Sequence, residues 1–186
     1  MVANTRSVPE RIVSLSPNVT EILFALGVGD RVTGISRYCD YPPEAVRLPH
    51  VGGLVDPDYE AIVSLQPDLV ILLTSHDDAA RELKKLGIST LKVPHRTIDD
   101  VHLSILRIGR VCGVSERAGS LVSALERRAR AVSFAVAGRP RPRVLICIGR
   151  STSSPQLGAI YVAGRDGFFS RLIDLAGGVN VCANEN

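Results

Sequence analysis

Short apolar, largely β-branched runs alternate with helical stretches through the first half of the chain, and this alternation narrows the folds open to it. Residues 11–15, 31–35, 68–73 and 90–93 read as buried strands, and residues 17–26, 57–66 and 77–86 as helices. Ser16-Pro17 and Asp56-Pro57 each place an oxygen acceptor at an N-cap. The proline that follows needs no amide partner at the first helical position. Gly27 and Gly87 follow the last apolar residue of their helices, where a left-handed C-cap favours glycine. Strands joined through single helices imply right-handed crossovers, and so a parallel sheet covered on both faces. An α/β lobe is predicted.

After His95 the alternation stops. Thr97-Ile98-Asp99-Asp100 has the form of a capping box, and Val101, Ile105, Ile108 and Cys112 then make a helical stripe. A second helix starts at Ser115 and carries Leu121, Leu125, Ala129, Val132 and Val136 at spacings of three and four. Running to residue 137 it would span about 30 Å, which suits a spine better than a crossover. Gly138 to Pro142 ends it; strands at 143–148 and 159–163, a helix at 168–175 and a stop at Gly177-Gly178 follow. About 45 residues are too few to close an independent α/β core, so the second lobe is expected to be incomplete. The predicted organisation is 1–96 as an N-terminal α/β lobe, 97–138 as a helical connector with the long helix, and 139–186 as part of a second α/β lobe.

Composition excludes several classes. With 45% hydrophobic and 22% charged residues the chain is neither disordered nor fibrous. No apolar run is long enough to cross a bilayer. Residues 1–11 lack the apolar core of a secretory signal, so the chain is expected to be cytosolic or to have lost a targeting segment. The net charge of +3 is mild. The densest basic stretch, Arg127, Arg128 and Arg130 followed by Arg139, Arg141 and Arg143, has no aromatic platforms beside it, and the chain has no Trp. It reads as a solvated helix face rather than a nucleic-acid surface. Cys39, Cys112, Cys147 and Cys182 form no C-x-x-C pair; Cys112 and Cys147 read as small buried hydrophobes. Their pairing stays open.

Ligands collect beyond the carboxyl ends of parallel strands. Here those ends carry Ser16-Pro17, Ser36-Arg37-Tyr38, Thr74-Ser75-His76 and Pro94-His95, with the loop Val51-Gly52-Gly53-Leu54-Val55 able to face the same rim. The set suits a large, mostly apolar ligand with a few polar handles, or a metal chelate. His76 and His95 invite a metal reading, but no acid cluster or H-x-x-x-H accompanies them, and no protein-held ion is expected. Gly27-Val28-Gly29 follows a helix rather than a strand, so the dinucleotide fingerprint fails, and phosphate loops and nucleophile elbows are absent. Enzyme activity is not expected.

Three segments carry a resemblance: Arg11-Ile12-Val13-Ser14-Leu15-Ser16-Pro17-Asn18-Val19-Thr20-Glu21-Ile22, then Asp40-Tyr41-Pro42-Pro43-Glu44-Ala45, then Glu60-Ala61-Ile62 through Gln66-Pro67-Asp68-Leu69-Val70. In this order, followed by a spine helix and Gly177-Gly178-Val179-Asn180, they resemble the cobalamin-binding type of periplasmic substrate-binding protein, the receptors of ABC importers. Haem and ferric-siderophore receptors share that frame. The resemblance implies two Rossmann-like lobes joined by one rigid helix, the second truncated here.

It further implies that the ligand is a corrinoid, with haem or a ferric siderophore as alternatives, and that there is no intrinsic cofactor. Tyr38 matches a pocket tyrosine that packs on the corrin, Leu54 a position that can offer a large aromatic, and Tyr161 a pocket aromatic just after a second-lobe strand. Glu60 matches the surface glutamate that docks onto arginines of the membrane permease; it also suits a first-turn acid on helix-dipole grounds. Ser16, Pro17, Thr74, Ser75 and His95 join the ligand rim by strand position alone. The implied location is the periplasm or an extracytoplasmic, membrane-anchored lipoprotein. A cytosolic metal-cofactor enzyme subunit on a related frame is the rival reading. An unfinished sheet edge also predicts dimers or swapping.

Overall fold

The computed structural model describes residues 8–53, 55–150, 160–165 and 167–182. Two compact units are present, Met1–His95 with Asp100–Val122, and Arg96–Asp99 with Ser123–Asn186.

In the first unit β1 (Ile12–Ser14) leads through α1 (Pro17–Ala25) to β2 (Val32–Ile35). A long connection with a 3-10 turn at Ala45–Arg47 then reaches α2 (Tyr59–Ser64), β3 (Leu69–Leu73), α3 (Asp77–Lys85) and β4 (Thr90–Val93). The four strands form one sheet in the order β2-β1-β3-β4, every pair parallel. Beyond β2 a single parallel rung pairs Ile35 with His50, and Val51 donates its amide to Ile35 at 2.9 Å. Successive strand side chains alternate between faces. Val13, Leu15, Val70 and Leu72 meet Ile62 of α2 and Ala79 and Leu83 of α3 in one cluster. On the other face Ser14 receives the hydroxyl of Thr20, which fixes α1 there. All five residues of β3 are buried, as a central parallel strand covered on both faces requires.

Two local devices set the packing of α2. The Arg11 guanidinium closes its C-terminus, donating from Nε to the carbonyls of Leu65 and Gln66 at 3.1 Å and from Nη2 to Leu65 at 2.5 Å. At Gly34 in β2, an added Cβ would meet Leu65 Cδ1 at 2.5 Å and Val51 Cγ1 at 3.1 Å, so a larger residue there would have to push the Leu65 side chain aside.

The start of α2 corrects an expectation. Its N-cap is Asp58, not Asp56: the Asp58 carboxylate accepts from the Ala61 amide at 2.9 Å. Gly53 N instead donates to Asp56 O at 3.1 Å, and the Asp56 carboxylate lies 3.5 Å from Arg37. Ser16 does stand at the N-cap of α1, but its hydroxyl bonds Asn18 Oδ1 at 2.5 Å and caps no amide.

Helices α4 (Ile98–Val111) and α5 (Ser115–Val136) follow, and α5 runs from the first unit into the second. In the second unit β5 (Arg143–Val144), β6 (Cys147–Arg150), β7 (Ile160–Val162), α6 (Phe168–Leu175) and β8 (Val179–Asn180) complete the described chain. The single strand expected at 143–148 is divided. β5 pairs parallel with β8, whereas β6 pairs antiparallel with β7, so the chain changes partner between Val144 and Cys147. Cys147, expected inside, is exposed, because β6 belongs to a two-stranded sheet whose residues are mostly uncovered.

Candidate functional site

Parallel strands bring all their carboxyl ends to one edge, and the order β2-β1-β3-β4 puts the reversal of strand order between β1 and β3. Loops leaving neighbouring strands in opposite directions open a crevice there. Ser16 and Pro17 follow β1, Thr74 and Ser75 follow β3, Tyr38 follows β2, and His95 follows β4. The edge therefore gathers six of the candidate residues in the first unit. Leu54 lies outside the described residues. Tyr161 belongs to the second unit and stands within β7, opposite Gly149, rather than just after a strand as expected; it is 57% exposed.

Beneath the edge lies a buried polar cluster. Thr20 donates to Ser14 Oγ at 2.8 Å, Ser14 donates to the Ser16 carbonyl at 3.1 Å, and the Cys39 thiol lies 3.2 Å from both Thr20 Oγ1 and Ser36 Oγ. The β2 loop is pinned to it, with Cys39 N donating to Ser36 O at 3.2 Å and Ser36 N to Ser14 O at 2.9 Å. Satisfied groups of this kind hold a loop in one place at little penalty. The fixed loop presents Tyr38 to solvent at 61% exposure while its neighbour Cys39 is buried.

The loops at this edge expose both aromatic and polar side chains, Arg37, Asp40, Thr74 and Ser75 among the latter. Tyr41, 63% exposed, precedes the cis bond to Pro42, and Val55 is 90% exposed. The sequence places Val55 in the loop able to face this rim but does not mark Tyr41 as a rim residue. Tyr41 sits in the Asp40–Ala45 motif, so its signal was present but was counted as a landmark rather than a surface. Thr74 and Ser75 are exposed, whereas Ser16 is buried and its hydroxyl already engaged. Gly52 shapes the neighbouring loop: at φ +87 an added Cβ would meet Asp56 O and Asp58 N at 2.5 Å. Arg37 N also donates to Gly52 O at 2.8 Å, tying the loop to the β2 end. Exposed Glu60 lies in the first turn of α2, next to this loop.

His76 and His95 follow neighbouring strands, since Leu73 pairs with Val93 and Thr74 N donates to Val93 O at 3.0 Å. Burial and the nearby His95 imidazole lower the pKa of His76. The hydrogen bond and charge of Lys92, 2.7 Å away, lower that of Asp77. Among the described residues no three His, Cys, Asp or Glu side chains are grouped to hold a metal ion. A groove of about 660 Å³ at Leu26, Gly27, Arg117 and Leu121 is at the far end of α1 from Ser16, where Arg117 donates to the Leu26 carbonyl at 3.4 Å. It is lined by a helix cap rather than by the edge residues.

A family model described as periplasmic binding protein matches residues 12–186. A cobalamin-binding protein of Halobacterium salinarum is 32% identical over 186 residues, covering 97% of this chain and 48% of its own length. Among solved structures, a periplasmic heme-binding protein from Roseiflexus superposes with TM-score 0.79 at 30% identity, covering 92% of this chain and 65% of that one. A periplasmic vitamin B12 binding protein of Vibrio cholerae superposes with TM-score 0.78 at 26% identity, covering 96% and 68%. The chain spans about half the length of the curated relatives it matches.

Proposed function

Because the chain belongs to the periplasmic binding protein family, we propose that it is the capture component of an ABC importer, working outside the cytoplasm and binding a corrinoid at the carboxyl edge of its first sheet. The observation that carries this reading is the fixed, exposed Tyr38 at the carboxyl end of β2, on the same sheet edge as the strand-order reversal. A ring held by a rigid loop can cover the face of a large planar ligand without losing further freedom. Tyr41 and Val55 extend the rim, and Thr74, Ser75 and His95 supply polar handles at its border. The relatives named for cobalamin and vitamin B12 support the choice of ligand.

No bond is made or broken in this reading: rim dipoles and aromatic faces replace the ligand's water, and the loaded protein is offered to a membrane permease. Glu60, exposed at the start of α2, is the docking contact. Among the described residues the second-unit sheets have two strands each, and pairing of their edges with a second copy is part of the same proposal, checked by light scattering across concentration.

A second reading, haem in place of the corrinoid, is favoured by the heme-binding neighbour at TM-score 0.79. Equilibrium titration of wild type and Tyr38→Ala tests the site: a corrinoid affinity lowered roughly tenfold or more in the variant agrees with loss of one stacked aromatic. Equal affinity removes the edge from the account.

A further inference from the structure

The part of α5 that lies in the second unit has a fixed inner side. Ser133 donates its hydroxyl to the Leu175 carbonyl at 3.1 Å, and Val136 lies so close to Gly177 that a Cβ added there would meet it at 2.9 Å. At 3.6 residues per turn, the side facing away from Ser133 and Val136 carries Arg127, Ala131 and Phe134, with Arg128 and Ala135 beside them. All five are exposed. Phe134 is 87% exposed, whereas the chain's other phenylalanines, Phe24, Phe168 and Phe169, are each partly buried. Arg130, one turn before Phe134, pairs with Glu126 at 3.6 Å, but Arg127 and Arg128 have no ion-pair partner among the described residues. Residues 123–143 hold six arginines and one glutamate, in a chain with 22 basic and 19 acidic residues. Outside this stretch acidic residues therefore outnumber basic ones.

We propose that this outer face of α5, Arg127 and Arg128 with Phe134, docks the protein peripherally on an anionic phospholipid surface. A single exposed apolar residue needs no explanation, but an exposed ring within a turn or two of unpaired guanidinium groups is a combination with one well-suited environment. In the headgroup layer the arginines stay hydrated beside phosphates while the ring enters the acyl boundary. An apolar partner would strip water from two unpaired charges. One ring makes no stacking track for a nucleic acid. Among the described residues no helix is long and apolar enough to cross a membrane, so the contact is peripheral. It goes beyond ligand capture and does not rest on which ligand is held.

The test sediments the full chain with phosphatidylcholine vesicles, with and without phosphatidylglycerol. Because the chain has no Trp, Phe134→Trp supplies a single fluorescent reporter at the contact. The expected result is binding only where phosphatidylglycerol is present, weakening as salt rises, with a blue shift of the Trp emission on binding. Arg127→Gln/Arg128→Gln should lower the partition coefficient roughly tenfold or more. Lys84→Gln/Lys85→Gln removes the same charge from α3 and should change it less than about twofold. Cobalamin retention, measured alongside, should be equal in all these variants, so failure here and failure of the ligand reading are separable. Absence of vesicle binding overturns the proposal. So does equal binding to both vesicle types, binding that the arginine substitutions leave intact, or an unshifted emission from sedimented protein. A wild type that binds no vesicle but self-associates, and becomes monomeric in Phe134→Ser, assigns the face to a second copy and likewise overturns it.

Discussion

The hydroxyl of Thr20 donates to Ser14 Oγ at 2.8 Å, joining α1 to the carboxyl end of β1 inside a fully buried network. Ser14 in turn donates to the carbonyl of Ser16, and the Cys39 thiol closes the cluster from the β2 loop. The rim residues are therefore held from below by polar contacts, not only by the apolar core.

Thr20→Val removes a donor while preserving shape, leaving Ser14 and Cys39 short of a partner. Loss of stability of about 1–3 kcal/mol is expected from such an unmet buried group. Thr20→Ser should recover most of it. Urea unfolding of the three proteins measures the difference, and an unchanged midpoint in Thr20→Val would show the network to be dispensable.

Asp58→Ala removes the carboxylate that accepts the Ala61 amide at 2.9 Å. An N-cap of this kind is worth about 1 kcal/mol. Glu60→Ala, two residues on and exposed, should leave the unfolding midpoint in place yet, on the docking proposal, reduce transporter-dependent uptake. If both variants lose stability alike, Glu60 is structural.

His76 gives the stability a pH dependence. Its pKa in the folded protein lies below the ordinary 6.5, so the unfolded chain binds the proton more readily. Stability is then full above that ordinary value, falls as pH drops below it, and levels off beneath the folded pKa. His76→Gln should flatten this part of the profile in thermal melts taken between pH 8 and about 5. A profile unchanged by the substitution would assign the dependence elsewhere.

Cysteine reactivity should separate cleanly. Cys147 is exposed, whereas Cys39, Cys112 and Cys182 are buried. Burial pushes the Cys112 thiol up to about 11, with Arg31 opposing the shift only in part. Iodoacetamide at neutral pH should therefore label Cys147 first, and Cys112 only on unfolding. Peptide mass mapping over time reads the order directly.

Where sequence signals are local and self-contained, they located elements closely. β4 at Thr90–Val93 and α6 at Phe168–Leu175 match their expected bounds, since each is a short apolar pattern with clear stops. Gly27 and Gly87 adopt the left-handed conformation expected of them, at φ 71 and 75. The strand-end rule also predicts Ser16, Thr74, Ser75 and His95 at one edge, which is where the strand order puts them. The start of α2 was displaced because two aspartates, Asp56 and Asp58, compete to cap it, and the hydrogen bond from Gly53 N to Asp56 O decides between them. Division of the 143–148 run into β5 and β6 depends on distant partners, Val179 and Val162, that local periodicity does not encode. The exposure of Tyr41 is not legible in the motif that holds it, because exposure depends on loop path rather than residue type.

The central claim is capture of a corrinoid at the Tyr38 edge. Equilibrium dialysis of the protein against equal concentrations of cobalamin, haemin and a ferric siderophore tests it most directly. The account predicts that cobalamin is retained most strongly and that Tyr38→Ala diminishes its retention. Retention of haemin or the siderophore alone, with cobalamin passing freely, would contradict it.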